Sequence, residues 1–261
     1  MKNNPYAYEA AEILNFYDET TIDRTYELKW ENPVTIGQFF EVSVPGVGEA
    51  PISISEHKDG ILYMTIRRVG RVTDVIFNKS VGQHLHVRGP YGNGFETARF
   101  ESAPVSVIAG GTGLAPVRGL VERLSMIAPE SLELLVGFKS PDDMLFKETL
   151  KEWENRFKIM VTVDQEFEGY TGRTGLVTKF IGELGINQPD RQFIVVGPPI
   201  MMKFVTLELL KAGIQEENIT MSFERNMSCG IGKCGHCKID ETYVCLEGPV
   251  FGYPKAKHLI D

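Results

Sequence analysis

The sequence predicts a multidomain α+β protein: an antiparallel β-barrel, then a doubly wound parallel α/β domain, then a small cysteine-rich lobe. Three observations predict it. The first hundred residues carry short β-rich runs divided by Gly- and Pro-bearing turns. Strands and helices alternate after Ser102. All four cysteines fall after Ser228, in a Gly-rich stretch with little periodicity. A chain of 261 residues accommodates two domains and an appendage, with boundaries at 1–101, 102–222 and 223–261.

In the barrel region, β-runs lie at Gln38–Val44, Leu62–Arg68 and His84–Arg88. Turns at Val44-Pro45-Gly46-Val47-Gly48 and Arg88-Gly89-Pro90-Tyr91-Gly92-Asn93-Gly94 separate strands, and Thr73–Lys79 suits a short helix. The α/β region opens with Val105–Ala109, an apolar run of the kind buried in parallel sheets. A Gly-rich turn leads into a helix over Val117–Ile127. Strands follow at Leu132–Phe138, Lys158–Val163 and Gln192–Val196, with helices at Asp143–Arg156, Leu176–Leu184 and Ile200–Ala212. The last forty residues or so bury too little core to stand alone, so they need a staple.

Composition narrows the function classes. Hydrophobic residues at 43% and charged residues at 24% are ordinary for a soluble globular chain. A net charge of −8 argues against nucleic-acid binding, which rewards basic surfaces. No apolar run approaches the roughly eighteen residues that span a bilayer. Met1-Lys2-Asn3-Asn4-Pro5-Tyr6 lacks the apolar core of a secretory signal. The expectation is a cytoplasmic protein with no membrane partner, a setting where isolated disulfides are rare.

Cys229, Cys234, Cys237 and Cys245 follow the spacing C-x4-C-x2-C-x7-C. Plant-type [2Fe–2S] sites open with C-x4-C-x2-C and add a more distant fourth thiolate. Gly230, Gly232 and Gly235 let the intervening loop turn its amides toward the cluster. A structural zinc site is the competing reading, although it favours two close pairs. His236 sits between two of the cysteines, but four thiolates already suffice.

Two further turns carry ligand chemistry. Gly110-Gly111-Thr112-Gly113 follows a predicted strand and precedes a helix, a setting that lets backbone approach a pyrophosphate. The spacing is not that of the Rossmann fingerprint. Gly197-Pro198-Pro199-Ile200-Met201 repeats the arrangement at another strand end. Ligands of open α/β sheets bind outside such ends.

These features resemble the ferredoxin-NADP⁺ reductase superfamily, in which a flavin-binding barrel precedes a nicotinamide domain and G-G-T-G-x-x-P and G-P-P-x-M are the nicotinamide-side motifs. The C-terminal cysteine lobe resembles that of the dihydroorotate dehydrogenase electron-transfer subunits. The stretches from Ser222 to Cys237 and from Tyr243 to Phe251 are similar to the B subunits of anaerobic sulfite reductase. The resemblance covers essentially the whole chain and is most specific at the cysteines.

The resemblance implies FAD, a [2Fe–2S] cluster and a nicotinamide nucleotide as cofactors. Flavin contacts fall on Pro51, Ile52 and Ser53, on Thr65, Ile66 and Arg67 of the next strand, and on Val72 and Thr73 at a helix start. The nicotinamide lies against Gly110, Gly111, Thr112, Gly113, Gly197, Pro198, Pro199 and Met201, and the four cysteines hold the metal. Ala50 replaces the family's flavin-diphosphate arginine and Ile52 its aromatic, so Arg67 becomes the substitute charge. Arg67 and Arg68 read equally well as exposed strand arginines. Tyr91 and Phe95 could touch the flavin ring, though aromatic residues of a barrel are more often core.

The implied activity is conversion of hydride from NAD(P)H into single electrons for a partner protein. That partner would be a sirohaem subunit reducing sulfite, with a second iron–sulfur subunit between them. Dihydroorotate dehydrogenase and hydrogenase are alternative destinations, and a zinc-stapled nucleotide-binding regulator is the non-enzymatic rival. NADH is expected over NADPH, because Asp142 and Asp143 beside Lys139 would repel a 2′-phosphate, although the three residues read at least as well as a solvated loop. No catalytic acid, base or nucleophile is expected, since the cofactors carry the chemistry.

Overall fold

The computed structural model describes residues 4–260. Met1 to Asn3, part of the N-terminal stretch read above, lie outside the described residues. The chain forms two compact units, one of residues 1–95 with 224–249 and one of residues 96–223 with 250–261.

The first unit is built on a closed barrel of β1 (Glu9–Asp18), β2 (Asp23–Lys29), β3 (Phe39–Val44), β4 (Gly48–Lys58), β5 (Ile61–Arg67) and β6 (His84–Tyr91). Their order around the barrel is β1-β2-β5-β4-β3-β6, and every pairing is antiparallel. Period-two alternation turns Leu62, Met64 and Ile66 of β5 inward, where they meet Ile13, Tyr26, Leu28, Phe40, Val42 and Ile54. Helix α1 (Arg71–Phe77) covers one side, burying Ile76, whose carbonyl accepts the Tyr26 hydroxyl at 2.9 Å.

The second unit adds a short helix α2 (Thr97–Glu101) and a sheet of β7 (Val105–Gly110), β8 (Leu132–Phe138), β9 (Lys158–Val163), β10 (Arg173–Thr174), β11 (Gln192–Val196) and β12 (Ile219–Ser222). These strands are parallel, in the order β10-β9-β8-β7-β11-β12. Helices α3 (Arg118–Ile127), α4 (Lys147–Glu154) and α5 (Pro199–Lys211) form its crossovers. The order reverses between β7 and β11, so a ligand crevice is expected outside the ends of these two strands. At the opposite ends a buried network closes the sheet: Glu133 accepts from Ser106 at 2.8 Å and Lys158 at 2.9 Å, and pairs with Arg191 at 3.1 Å.

Three expectations change. The helix expected over Leu176–Leu184 is a 3₁₀ segment, Val177–Glu183. The helix expected from Asp143 starts at Lys147, because Pro141–Asp143 forms its own 3₁₀ turn and Phe146 takes a left-handed φ of 55°. The segment 223–261 is not a compact unit of its own. Residues 224–249, with the hairpin β13 (Lys238–Ile239) and β14 (Thr242–Tyr243) and the short α6 (Val244–Glu247), belong with the barrel. The chain then returns as β15 (Val250–Gly252), pairing antiparallel with β12, and ends in α7 (Tyr253–Ala256). The physical reason is size: the cysteine segment buries its surface on a neighbour rather than on itself.

Candidate metal centre and nucleotide site

The cysteine segment turns sharply. Gly230, Gly232 and Gly235 take φ values of +71°, +68° and +83°, which a side chain would strain. The turns aim backbone N–H groups at sulfur. Ile231, Lys233 and Cys234 approach Cys229 Sγ at 3.5, 3.4 and 3.4 Å; Gly232 donates to Cys245 Sγ at 3.1 Å, and Cys245 to Cys237 Sγ at 3.4 Å. Burial alone would push the Cys229 thiol up, but the amides of Ile231, Cys234 and Lys233, with the Cys234 side chain, hold it down at about 6. Burial and the neighbouring Cys237 push Cys245 up to about 12 against the Gly232 amide. None of the four cysteines is in a disulfide; Cys229, Cys237 and Cys245 are buried and Cys234 is exposed. Among the described residues no three Cys, His, Asp or Glu side chains converge as for a single ion. Amides directed at thiolate sulfurs stabilise the charge an iron–sulfur cluster places there, so the donor set fits such a cluster.

The barrel holds this segment through β6 and the turn after it. Arg88 Nη1 donates to the carbonyl of Cys229 at 2.6 Å, and Nη2 to that of Ser228. A Cβ on Gly230 would stand 2.6 Å from the Tyr91 ring, and one on Gly92 would stand 2.6 Å from the Gly248 carbonyl. Asn93 donates its amide to Gly248 at 2.7 Å and its side chain to the Glu247 carbonyl at 3.0 Å. The run from Arg88 to Gly94, read from sequence as a turn between strands, is therefore the seat of the cysteine segment. Arg88 and Asn93 were missed as functional candidates, and Tyr91 was read as a flavin-ring neighbour or core residue rather than as part of this seat. No sequence signal singles Arg88 out: it is one charged residue on a barrel strand, and only the packing leaves it 3% exposed.

On the barrel, Pro51, Ser53 and Thr65 are half-buried, whereas Ile52 and Ile66 point into the core and offer only backbone groups outward. The Thr65 hydroxyl shares hydrogen bonds of 2.9 Å with Thr25 and with Ser55. Val72 lies against Gly48 and the barrel core. Arg67 grips the fully buried Asp23 with two hydrogen bonds, at 2.8 and 2.9 Å. The Thr73 hydroxyl accepts the amides of Val69 and Gly70 at 2.9 and 3.1 Å and donates to the Gly70 carbonyl, capping its own helix. Tyr91 packs at a tilt of 54° against Phe39 and lies close beside Gly230, and Phe95 is core.

In the second unit the two predicted turns meet. β7 and β11 are hydrogen-bonded neighbours, Val196 beside Ala109, so Gly110–Gly113 and Gly197–Met201 leave adjacent strand ends. A Cβ on Gly110 would strike the Met201 sulfur and approach Pro198 at 3.2 Å. One on Gly113 would stand 2.6 Å from the Val196 carbonyl. Gly111 has a φ of +53° with open space beyond its Cα, Thr112 is half-buried, and Pro199 is the first residue of α5. Small residues thus keep backbone exposed at the switch point, as a pyrophosphate site needs. At the neighbouring strand ends, burial raises the carboxyl of Asp164, with Lys139 opposing and Asp143 adding to the rise.

Among known proteins, residues 107–206 match the oxidoreductase NAD-binding domain family, and residues 224–256 match the iron–sulfur cluster binding domain of dihydroorotate dehydrogenase B. The chain is 36% identical over 274 residues to the sulfhydrogenase 1 γ subunit of Pyrococcus furiosus, covering 96% of this chain and 92% of that one. It is 32% identical over 234 residues to a probable dihydroorotate dehydrogenase B electron-transfer subunit of Thermoplasma acidophilum, covering 90% and 85%. Among solved structures, an NADH-dependent reduced ferredoxin-NADP oxidoreductase studied for flavin-based electron bifurcation shares the fold. Its TM-score is 0.77 at 22% identity, over 98% of this chain and 94% of that one.

Proposed function

The chain belongs to the ferredoxin-NADP reductase-like family that includes the sulfhydrogenase γ subunits and the dihydroorotate dehydrogenase B electron-transfer subunits, and from that premise we propose that it carries electrons from NADH to a sulfite-reducing partner subunit. It is an NAD(P)H-dependent oxidoreductase subunit of the kind that uses FAD, a nicotinamide nucleotide and an iron–sulfur cluster. When bound, the flavin and a [2Fe–2S] cluster supply the change from two-electron to one-electron transfer that side chains cannot perform.

The observation that carries the reading is the set of five amides aimed at Cys229, Cys237 and Cys245 on a loop seated against the barrel. Cys229, Cys234, Cys237 and Cys245 would hold the cluster. Gly110–Gly113 and Gly197–Met201 would hold the nicotinamide nucleotide through backbone amides. The half-buried positions Pro51, Ser53, Thr65, Arg67 and Val72 would border the flavin, with Ile52, Ile66 and Thr73 contributing main chain. Exposed Cys234 and Leu246, which is 61% exposed beside Cys245, mark the face from which electrons leave. The thiols this cluster requires are kept reduced in a cytoplasmic setting. Among the described residues no helix is long and apolar enough to cross a membrane.

The similarity of residues 222–237 and 243–251 to anaerobic sulfite reductase B subunits supports a sirohaem partner, reached directly or through a second iron–sulfur subunit. A second reading, delivery to a hydrogenase or dihydroorotate dehydrogenase subunit, is supported by the 36% identity to a sulfhydrogenase γ subunit. Asp142, Asp143 and Asp164 around Lys139 support NADH over NADPH, and a lower KM for NADPH would overturn that choice.

The test is anaerobic purification with iron, sulfide and flavin analysis, followed by NADH-driven reduction of each candidate partner. Two irons, two sulfides and one FAD per chain, with electrons reaching the sirohaem subunit, are expected. A colourless, zinc-loaded protein would overturn the cofactor assignment; reduction of only a hydrogenase or dihydroorotate dehydrogenase subunit would overturn the partner. Cys234→Ser should abolish partner reduction while NADH-to-flavin transfer persists.

A further inference from the structure

Arg88 belongs to none of the cofactor motifs, yet its guanidinium is fully engaged within the barrel unit. Nε donates to Glu49 at 3.0 Å and Nη2 pairs with the same carboxylate oxygen. Nη1 reaches the Tyr91 hydroxyl at 3.2 Å and the Cys229 carbonyl at 2.6 Å, and Nη2 reaches the Ser228 carbonyl. The rings of Tyr6, Tyr8 and Tyr91 lie 5.9, 5.9 and 5.5 Å from its central carbon. With its side chain 2% exposed, the arginine holds a fixed positive charge in a weakly screened setting, bonded to the peptide of a cluster ligand.

Two carboxylates answer that charge. Glu49 on β4 is the bonded partner, its side chain 27% exposed, and Glu41 on β3 stands opposite Arg88 in the strand register. Reduction of an iron–sulfur cluster adds one negative charge, and nearby charge and hydrogen bonding are the protein's means of tuning the potential. A cation beside the ligand favours the reduced state and a carboxylate opposes it.

We propose that Arg88 and Glu49 act as an opposed charge pair that sets the reduction potential of the cluster held by Cys229, with Arg88 also the positioning residue for that ligand's peptide. The inference rests on the iron–sulfur reading above. No bond or proton is exchanged: one electron, derived from NADH, enters the cluster, and the pair alters only the energy of the charge it adds.

The test is a potentiometric titration, followed by electron paramagnetic resonance, of the full chain loaded with cluster and FAD. Arg88→Gln should shift the midpoint negative and Glu49→Gln positive. Each shift should be at least tenfold in the one-electron equilibrium, about 59 mV. The double variant should return toward wild type, and Arg88→Lys should lie closer to wild type than Arg88→Gln. A residue that merely braced the loop would lower cluster occupancy without producing opposite shifts. Unmoved potentials at full iron and sulfide content, or two single variants shifting the same way, would overturn the proposal. If Arg88→Gln loses its cluster, Glu49→Gln decides: a positive shift supports the pair and no shift overturns it. A wild-type chain without iron and sulfide overturns both this inference and the reading beneath it.

Discussion

A methyl group on Gly113 would stand 2.6 Å from the carbonyl oxygen of Val196 and 2.8 Å from the backbone of Gly197. The turn after β7 therefore packs directly on the turn after β11, backbone against backbone, at the point where the strand order reverses. Gly113→Val must push the two turns apart, an overpacking cost of about 1–3 kcal/mol. We expect NADH affinity to fall at least tenfold with FAD and iron content unchanged, as read by nucleotide titration beside cofactor analysis. Undiminished affinity would remove these turns from the nucleotide site.

Gly230 and Gly235 separate strain from space. Both have left-handed φ values, +71° and +83°, so alanine costs about 1 kcal/mol at either. Only at Gly230 does the added carbon also meet the Tyr91 ring; at Gly235 nothing lies within 4 Å. Gly230→Ala should therefore lose more cluster than Gly235→Ala, measured as iron per chain after identical reconstitution. Equal occupancy would show that the Tyr91 seat is not tight.

Glu41 makes stability depend on pH. It is fully buried, and neither side-chain oxygen has a hydrogen-bond partner among the described residues. Burial pushes its carboxyl up to about 7 from 4.5; Arg88 opposes the rise, and Glu49 and Cys229 add to it. Between those values the folded state holds a proton that the unfolded state has released. Stability therefore falls as pH rises through this window, by about 3 kcal/mol once both states are ionised. Glu41→Gln lacks this titration, so its stability relative to wild type should be higher at pH 8 than at pH 5. Thermal unfolding of both proteins at the two pH values measures it; parallel curves would refute it.

Arg67 is proposed as a flavin contact, yet its guanidinium is bonded to Asp23, which is wholly buried. Arg67→Ala leaves that carboxylate without its cation, costing about 3 kcal/mol, the low end for a broken buried pair because Arg67 is one-third exposed. We expect a lower unfolding temperature together with about tenfold weaker FAD binding. Loss of stability at full flavin affinity would leave Arg67 a purely structural residue.

Much of the α/β unit was legible from sequence because parallel strands buried on both faces are continuous apolar runs; Leu132–Phe138, Lys158–Val163 and Gln192–Val196 match their observed bounds. The barrel was less legible. β1 reads Glu-Ala-Ala-Glu-Ile-Leu-Asn-Phe-Tyr-Asp with no clean alternation, and β4 carries Pro51, so neither announces a strand.

By itself the sequence determined the four-cysteine spacing, the glycines that let its loop turn, and the two strand-end turns, because these depend on local backbone freedom and residue chemistry. Only tertiary structure decided that Arg67 faces Asp23, that Thr73 caps its own helix, and that the cysteine segment joins the barrel through Arg88, Tyr91 and Asn93. Apart from the local Thr73 cap, those pairings link residues far apart in the chain, up to 154 positions for Asn93 and Glu247. Burial and charge compensation select such partners after the chain has folded, and no local pattern encodes them.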